Sequence, residues 1–211
     1  MTTDFVLANT RLSAVPLTPE VHLRLAEEAI ELWERTESDH GAQLAPPFWA
    51  FAWAGGQALA RYVLDHPAVL AGRGVLDLAA GSGLVAIAAM KAGAARVTAV
   101  EIDPLAVAAI GVNAEANGVA VTALLADVLE QEPGEDVVLA GDVFYSREMT
   151  RRMLGYLRRA AAAGATVLVG DPGRAYLPKE HLTLLAEYDV PVPATLEDTP
   201  VKRTTVWAVN P

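Results

Sequence analysis

From Gly74 onward, short and continuously apolar runs alternate with longer stretches of helical periodicity. That alternation constrains the fold more than any other feature. Residues 74–79 (GVLDLA), 96–101 (RVTAVE), 119–126, 136–140 (DVVLA) and 165–170 (ATVLVG) are expected strands. Residues 84–92, 104–117 and 146–163 are expected helices, the last two closing at Gly118 and Gly164. Strands that are apolar on both faces must be covered on both, which calls for a largely parallel sheet between two helical layers. Residues 178–188 are expected as a short helix. Residues 190–197 and 202–209 are expected as closing strands, the last alternating as an antiparallel strand does.

The first 50 residues differ. Leu23, Ala26, Ile30 and Trp33 fall at helical spacing in a Glu-, Leu- and Ala-rich segment, 18–38. Thr18 would be its N-cap and Pro19 its first helical residue. Residues 44–53 (LAPPFWAFAW) form an aromatic loop that Pro46 and Pro47 keep out of a helix, and Gly55-Gly56 open a second helix to about Asp65. The expected organisation is an N-terminal helical extension with its aromatic loop, 1–55, packed on one α/β domain, 56–211.

Composition narrows the function. With 53% apolar and 20% charged residues over 211 positions, the chain can bury a sizeable core and is not generally disordered. It has no cysteine, so thiolate metal sites, disulfides and cysteine nucleophiles are excluded. The net charge of −10 argues against a nucleic-acid partner. Apolar stretches are broken by Gly, Arg or Asp well short of the ~20 residues a membrane span needs, so no membrane association is expected. The N-terminus lacks a basic region followed by an apolar run, which leads to the expectation of a cytoplasmic protein. His22, His40, His66 and His181 show no metal-ligand spacing, and no metal is expected.

Ligands of open parallel sheets bind beyond the carboxyl ends of the strands. The residues there form a series: Asp77-Leu78-Ala79-Ala80-Gly81-Ser82-Gly83, then Glu101, then Asp127, then Gly141-Asp142-Val143-Phe144-Tyr145, then Asp171-Pro172-Gly173-Arg174. Gly81 and Gly83 let backbone approach a ligand closely. Glu101 follows Asp77 by 24 positions, the distance at which an acid on the next strand meets a ribose diol. Asp127 is placed to accept from an exocyclic adenine amine. A carboxylate at Asp77 would repel a pyrophosphate but suits an ammonium or sulfonium group. S-adenosylmethionine fits this set of acceptors.

VLDLAAGSG and VTAVEID resemble the cofactor motifs of class I, seven-strand S-adenosylmethionine-dependent methyltransferases. Asp142-Val143-Phe144-Tyr145 resembles the Asp-x-x-Tyr motif of the protein-lysine branch. PPFWAFAWAGG, GDVFY and GDPGRAYLP together resemble the bacterial electron transfer flavoprotein β-subunit lysine methyltransferases. The resemblance implies a Rossmann-like seven-stranded sheet of order 3-2-1-4-5-7-6, strand seven antiparallel. It implies that Asp77, Gly81 and Gly83 line the methionine part of the cofactor, that Glu101 binds the ribose and Asp127 the adenine amine, and that Trp53 lies against the cofactor. Asp142 and Tyr145 would frame the incoming lysine at the methyl-transfer end, Arg174, after the turn signal Asp171-Pro172-Gly173, would be a substrate-side cation, and the partner implied is the electron transfer flavoprotein β subunit.

The same residues admit plainer roles. Asp77 could cap a helix, Glu101 could be an ordinary strand-end acid, Asp127 could begin a turn, and Asp142 to Tyr145 could be a loop. Phe48, Trp49, Phe51 and Tyr145 would desolvate the lysine amine, whereas Phe48, Trp49, Phe51 and Trp53 could equally form a hydrophobic plug between the extension and the sheet. The arginines of 146–163 read most simply as a solvated helix face. Other acceptors, a ribosomal-protein lysine or a small-molecule amine, remain open, as does a cofactor-binding module without catalysis.

Overall fold

The computed structural model describes residues 2–40, 46–192 and 199–211. The chain begins with helix α1 (Thr2–Asn9), then strands β1 (Arg11–Val15) and β2 (Thr18–Leu25), then helix α2 (Ala29–His40). β1 and β2 form an antiparallel hairpin of their own. This corrects the helix expected from residue 18. Val21 and Leu23 are buried while Glu20 and His22 are exposed, the period of two that marks a strand. The helical spacing of Leu23, Ala26 and Trp33 straddles the end of that strand. The extension is therefore helix–hairpin–helix and not wholly helical. Buried Asn113 ties it to the rest: its Oδ1 accepts from the Arg24 amide at 2.7 Å and its Nδ2 donates to the Ser82 carbonyl at 2.8 Å.

A short helical turn at Phe48–Ala50 leads into α3 (Ala54–Asp65). The alternation then runs β3 (Gly74–Leu78), α4 (Leu84–Lys91), β4 (Arg96–Glu101), α5 (Pro104–Ala116), β5 (Thr122–Leu125), β6 (Val137–Gly141), α6 (Arg147–Ala162) and β7 (Thr166–Asp171). It closes with β8 (Leu182–Pro191) and β9 (Val201–Val209). The seven-stranded sheet has the order β5-β4-β3-β6-β7-β9-β8. Counted within the sheet, that is the expected 3-2-1-4-5-7-6, with β9 antiparallel to both neighbours. α3, α4 and Ile110 of α5 pack on one face, and α6 packs on the other.

β8 replaces the helix expected over 178–188, of which only a 3-10 turn at Lys179–His181 remains. Its residues pair along β9 from Leu182↔Val209 to Pro191↔Val201, and this long-range pairing outweighs local helix propensity. The strand expected at 190–197 thus begins inside β8, and residues 193–198 lie outside the described set. The arginines of α6 are only partly a solvated face: Arg152 pairs with Asp127, and Arg159 donates to the Leu129 carbonyl.

α3 meets the strand ends backbone to backbone. A Cβ on Gly141 would lie 2.9 Å from Gly56, and one on Gly170 would collide with the Gly55 carbonyl. Only glycines at these positions let the first turn of α3 rest on β6 and β7.

Candidate active site

The loop from Leu78 to Leu84 turns sharply under the control of backbone conformation. Ala79, Gly81 and Gly83 have φ of 55°, 53° and 80°, and Gly83 caps α4. A Cβ on Gly81 would meet nothing within 4 Å, so its outer side is open. Glu101 locks the loop from β4: one oxygen accepts from the Gly81 amide and the other from Ile102, each at 2.9 Å. Burial raises the Glu101 carboxyl above its ordinary range, and the amides around it partly offset this.

Asp77 is 1% exposed and accepts from the Ala86 amide at 2.8 Å. The plainer role of Asp77, a cap on the first turn of α4, is thus seen directly. Burial pushes its pKa up to about 8, with Glu101 adding to the rise. Two neighbouring carboxyls beside an open glycine loop make an acceptor-rich hollow. It fits ammonium, sulfonium and hydroxyl groups, and it is unsuited to phosphate.

Asp127 stands apart from this group. Its Oδ1 caps the turn at Leu129, its Oδ2 pairs with Arg152 at 2.6 Å, and the hydrogen bond to Arg152 holds its pKa low. The turn-starting role is therefore also present.

A second cluster, around Asp142, is built from three segments. Asp142 follows β6 at φ 59°, unusual for a non-glycine residue and held by the hydrogen bond its amide donates to the Gly170 carbonyl. Its buried carboxylate accepts from the Gly56 amide at 2.8 Å and from Arg174 Nη2 at 2.8 Å. Burial raises its pKa against the opposing pull of Arg174. The Arg174 guanidinium lies 5.9 Å from the centre of the Trp53 ring. Trp53 donates to the Phe48 carbonyl and meets Phe48 and Phe51 edge-on at 5.7 and 6.2 Å. Phe48 lies 6.0 Å from Tyr145, and burial raises the Tyr145 hydroxyl pKa with Glu101 adding to it. The group thus runs continuously from Gly81 through Glu101, Tyr145, Phe48 and Trp53 to Arg174 and Asp142.

Trp49 does not join it. It is buried among Val6, Leu32, Leu105, Ala106 and Ala109, so for this ring the plug reading holds. Phe48 and Tyr145 stay 44% and 49% exposed. Sequence reasoning read Asp171-Pro172-Gly173 as a turn with no part in the site, and the turn is present: the Asp171 Oδ1 accepts from the Gly173 and Arg174 amides at 2.7 Å each. Its strand-end position was the available signal. The resemblance offered Arg174 as a substrate-side cation, and the structure sets its guanidinium on Asp142.

The sheet order, the reversed β9 and the glycine loop facing Glu101 define an S-adenosylmethionine-dependent methyltransferase. A crystal structure of magnesium protoporphyrin IX methyltransferase from Synechocystis with bound S-adenosylmethionine shares the fold at TM-score 0.53, 17% identity, covering 74% of this chain and 78% of that one. A Thermoplasma acidophilum crystal structure does so at TM-score 0.58 and 22% identity, covering 73% and 89%. The ribosomal protein L11 methyltransferase family model matches residues 57–143. The electron transfer flavoprotein beta subunit lysine methyltransferase of Xenopus laevis is 37% identical over 218 residues, covering 99% of this chain and 87% of the relative. The chain belongs to the electron transfer flavoprotein β-subunit lysine methyltransferase family.

Proposed function

We propose that this enzyme transfers methyl groups from S-adenosylmethionine to lysine ε-amines of the electron transfer flavoprotein β subunit. The observation that supports this best is full-length similarity to relatives named for that activity, reaching through both Tyr145 and Arg174. The L11 family match, by contrast, ends at Val143, before either residue. A small-molecule acceptor would suit a mouth closed by the extension, but Phe48 and Tyr145 remain open to a protein side chain.

When bound, S-adenosylmethionine supplies a sulfonium-held methyl group: the amine lone pair forms the N–C bond as the C–S bond breaks. In this reading Gly81, Gly83, Asp77 and Glu101 hold the cofactor, with Asp127 at the adenine end and Trp53 at the methyl end. The acceptor amine must be neutral, although lysine ordinarily titrates near 10.4. Phe48, Trp53 and Tyr145 would line its approach and disfavour the charged form by desolvation. Asp142, bonded to Gly56 and Arg174, shapes the slot, and the amine proton passes to water. Positioning in line is the main contribution of such a site.

Intact-mass measurement after incubating the candidate subunit with enzyme and S-adenosylmethionine tests this. Mass rising in methyl steps, mapped to lysine, is expected. Label found only in small molecules would overturn it in favour of a small amine.

No described helix is long and apolar enough to cross a membrane.

A further inference from the structure

The segment after β7 carries a cation to the acceptor end by a built route. Asp171, wholly buried, takes the Gly173 and Arg174 amides on one oxygen and closes a tight turn with Gly173 at φ 83°. Thr205 of β9 donates to the Asp171 carbonyl and accepts in turn from Trp207, pinning the strand end beneath the turn. The turn sends Arg174 back over Trp53 and onto Asp142, whose other oxygen is on Gly56. Both oxygens of the motif acid are therefore engaged by this chain itself.

We propose that Arg174 is a positioning residue that neutralises Asp142, so that the methyl-accepting amine is not held as an ammonium ion. The inference rests on the lysine-amine reading given above. A bare carboxylate beside an amine stabilises the protonated form, which has no lone pair to attack with. A compensated Asp142 keeps its structural bond to α3 and exerts little net pull on the amine's proton. The guanidinium suits this role because it stays charged at any working pH and reaches across its width to both a carboxylate and an aromatic face.

Among the described residues, the groups seen facing this pair come from several elements. Asp142 and Tyr145 come from the segment after β6, Asp171 and Arg174 from the end of β7 and its turn, and Glu101 lies across from Tyr145. The first turn of α3 brings the amides of Gly55 and Gly56, β9 brings the Thr205 hydroxyl, and the described part of the loop before α3 brings Phe48 and Trp53. Among these described groups Arg174 supplies the positive charge. Its loss leaves Asp142 without that compensating charge, with Asp171 buried close behind it.

The test is kcat against pH, since kcat reports groups titrating in the enzyme–substrate complex. Wild-type, Arg174→Gln, Arg174→Lys and Asp142→Asn proteins are compared on the flavoprotein subunit. In Arg174→Gln the acid limb moves up by about one pH unit, and in Arg174→Lys, which keeps the charge, it stays in place. In Asp142→Asn, where the cation remains and the carboxylate is gone, the limb moves down. A uniform fall in rate with limbs unmoved overturns the inference alone. If Arg174→Gln does not fold, the Asp142→Asn limb decides it, an unmoved limb again overturning the inference. A wild-type enzyme that methylates no lysine overturns the acceptor reading and this inference with it.

Discussion

The carboxylate of Asp142 accepts the amide proton of Gly56 at 2.8 Å, joining residues 86 apart in the chain. α3 needs this bond because Trp53, at its own N-cap, offers no side-chain cap. The residue that the Asp-x-x-Tyr pattern marks for the substrate end is thus also the cap of a helix far upstream in the sequence. Replacing it should therefore register twice. Asp142→Ala should abolish transfer and also lower stability by about 1–2 kcal/mol, the usual cost of losing a helix cap, read from urea unfolding. Loss of transfer at unchanged stability would contradict the capping role.

Asp77 should make cofactor binding depend on pH. Its pKa of about 8 means that the free protein holds a proton there at neutrality, whereas a cationic ligand favours the carboxylate. Affinity for S-adenosylmethionine should therefore rise with pH by up to about tenfold per unit and level off above about 8, with protons released on binding below that. Calorimetry in buffers of different ionisation enthalpy measures both. Asp77→Asn, which can still accept from Ala86, should lose the dependence.

Burial pushes the Asp171 carboxyl up from the usual carboxylate range to about 6. The folded state thus binds the proton more tightly than the unfolded chain. This group's contribution to stability is full below about 4, is lost as pH rises to about 6, and is constant above. Asp171→Asn should flatten that part of the stability profile while keeping the turn, because its amide oxygen still accepts from Gly173 and Arg174. Asp171→Ala should lose the turn and lower kcat far more than cofactor affinity. Unfolding at pH 5 and 7.5, paired with kinetics, separates the two.

Gly170→Ala should be costly out of proportion to one methyl group. The new Cβ would meet the Gly55 carbonyl and lie 3.0 Å from Leu59 Cβ, with neither element free to yield. A loss of about 1–3 kcal/mol is expected from overpacking, checked by denaturant midpoint. Gly134→Ala, where a Cβ meets nothing within 4 Å, is the control.

Much of this was legible in the sequence because the signals were local. Continuous apolar runs marked β3, β6 and β7, the alternation in 202–209 marked β9 as antiparallel, and the acid-ending strand before Asp103-Pro104 placed Glu101 beside the glycine loop. What was missed depended on distant partners. β8 took strand form from a pairing with β9 that no window of its own residues reveals. β2 is the exception, since its own alternation of Val21, Leu23 and Leu25 with His22 and Arg24 was legible and the helical spacing of Leu23, Ala26, Ile30 and Trp33 was followed instead. Trp49 and Phe48 are neighbours of like chemistry, yet only the packing of α1 and α2 against α5 decides that the first is buried and the second half open. Asp171 and Arg174 looked like an ordinary turn because their meaning lies in reaching Asp142, 29 and 32 positions away.

The glycine contact between α3 and the strand ends bears on how this enzyme can be taken apart. A border drawn at residue 55 runs through the turn whose amide Asp142 takes and whose backbone lies on Gly141 and Gly170. Fragments cut there, or chimaeras swapping a relative's leading segment at that point, would inherit a helix without its seat. A workable junction must fall upstream of Trp53, with the helix and its glycine bed transplanted as one unit.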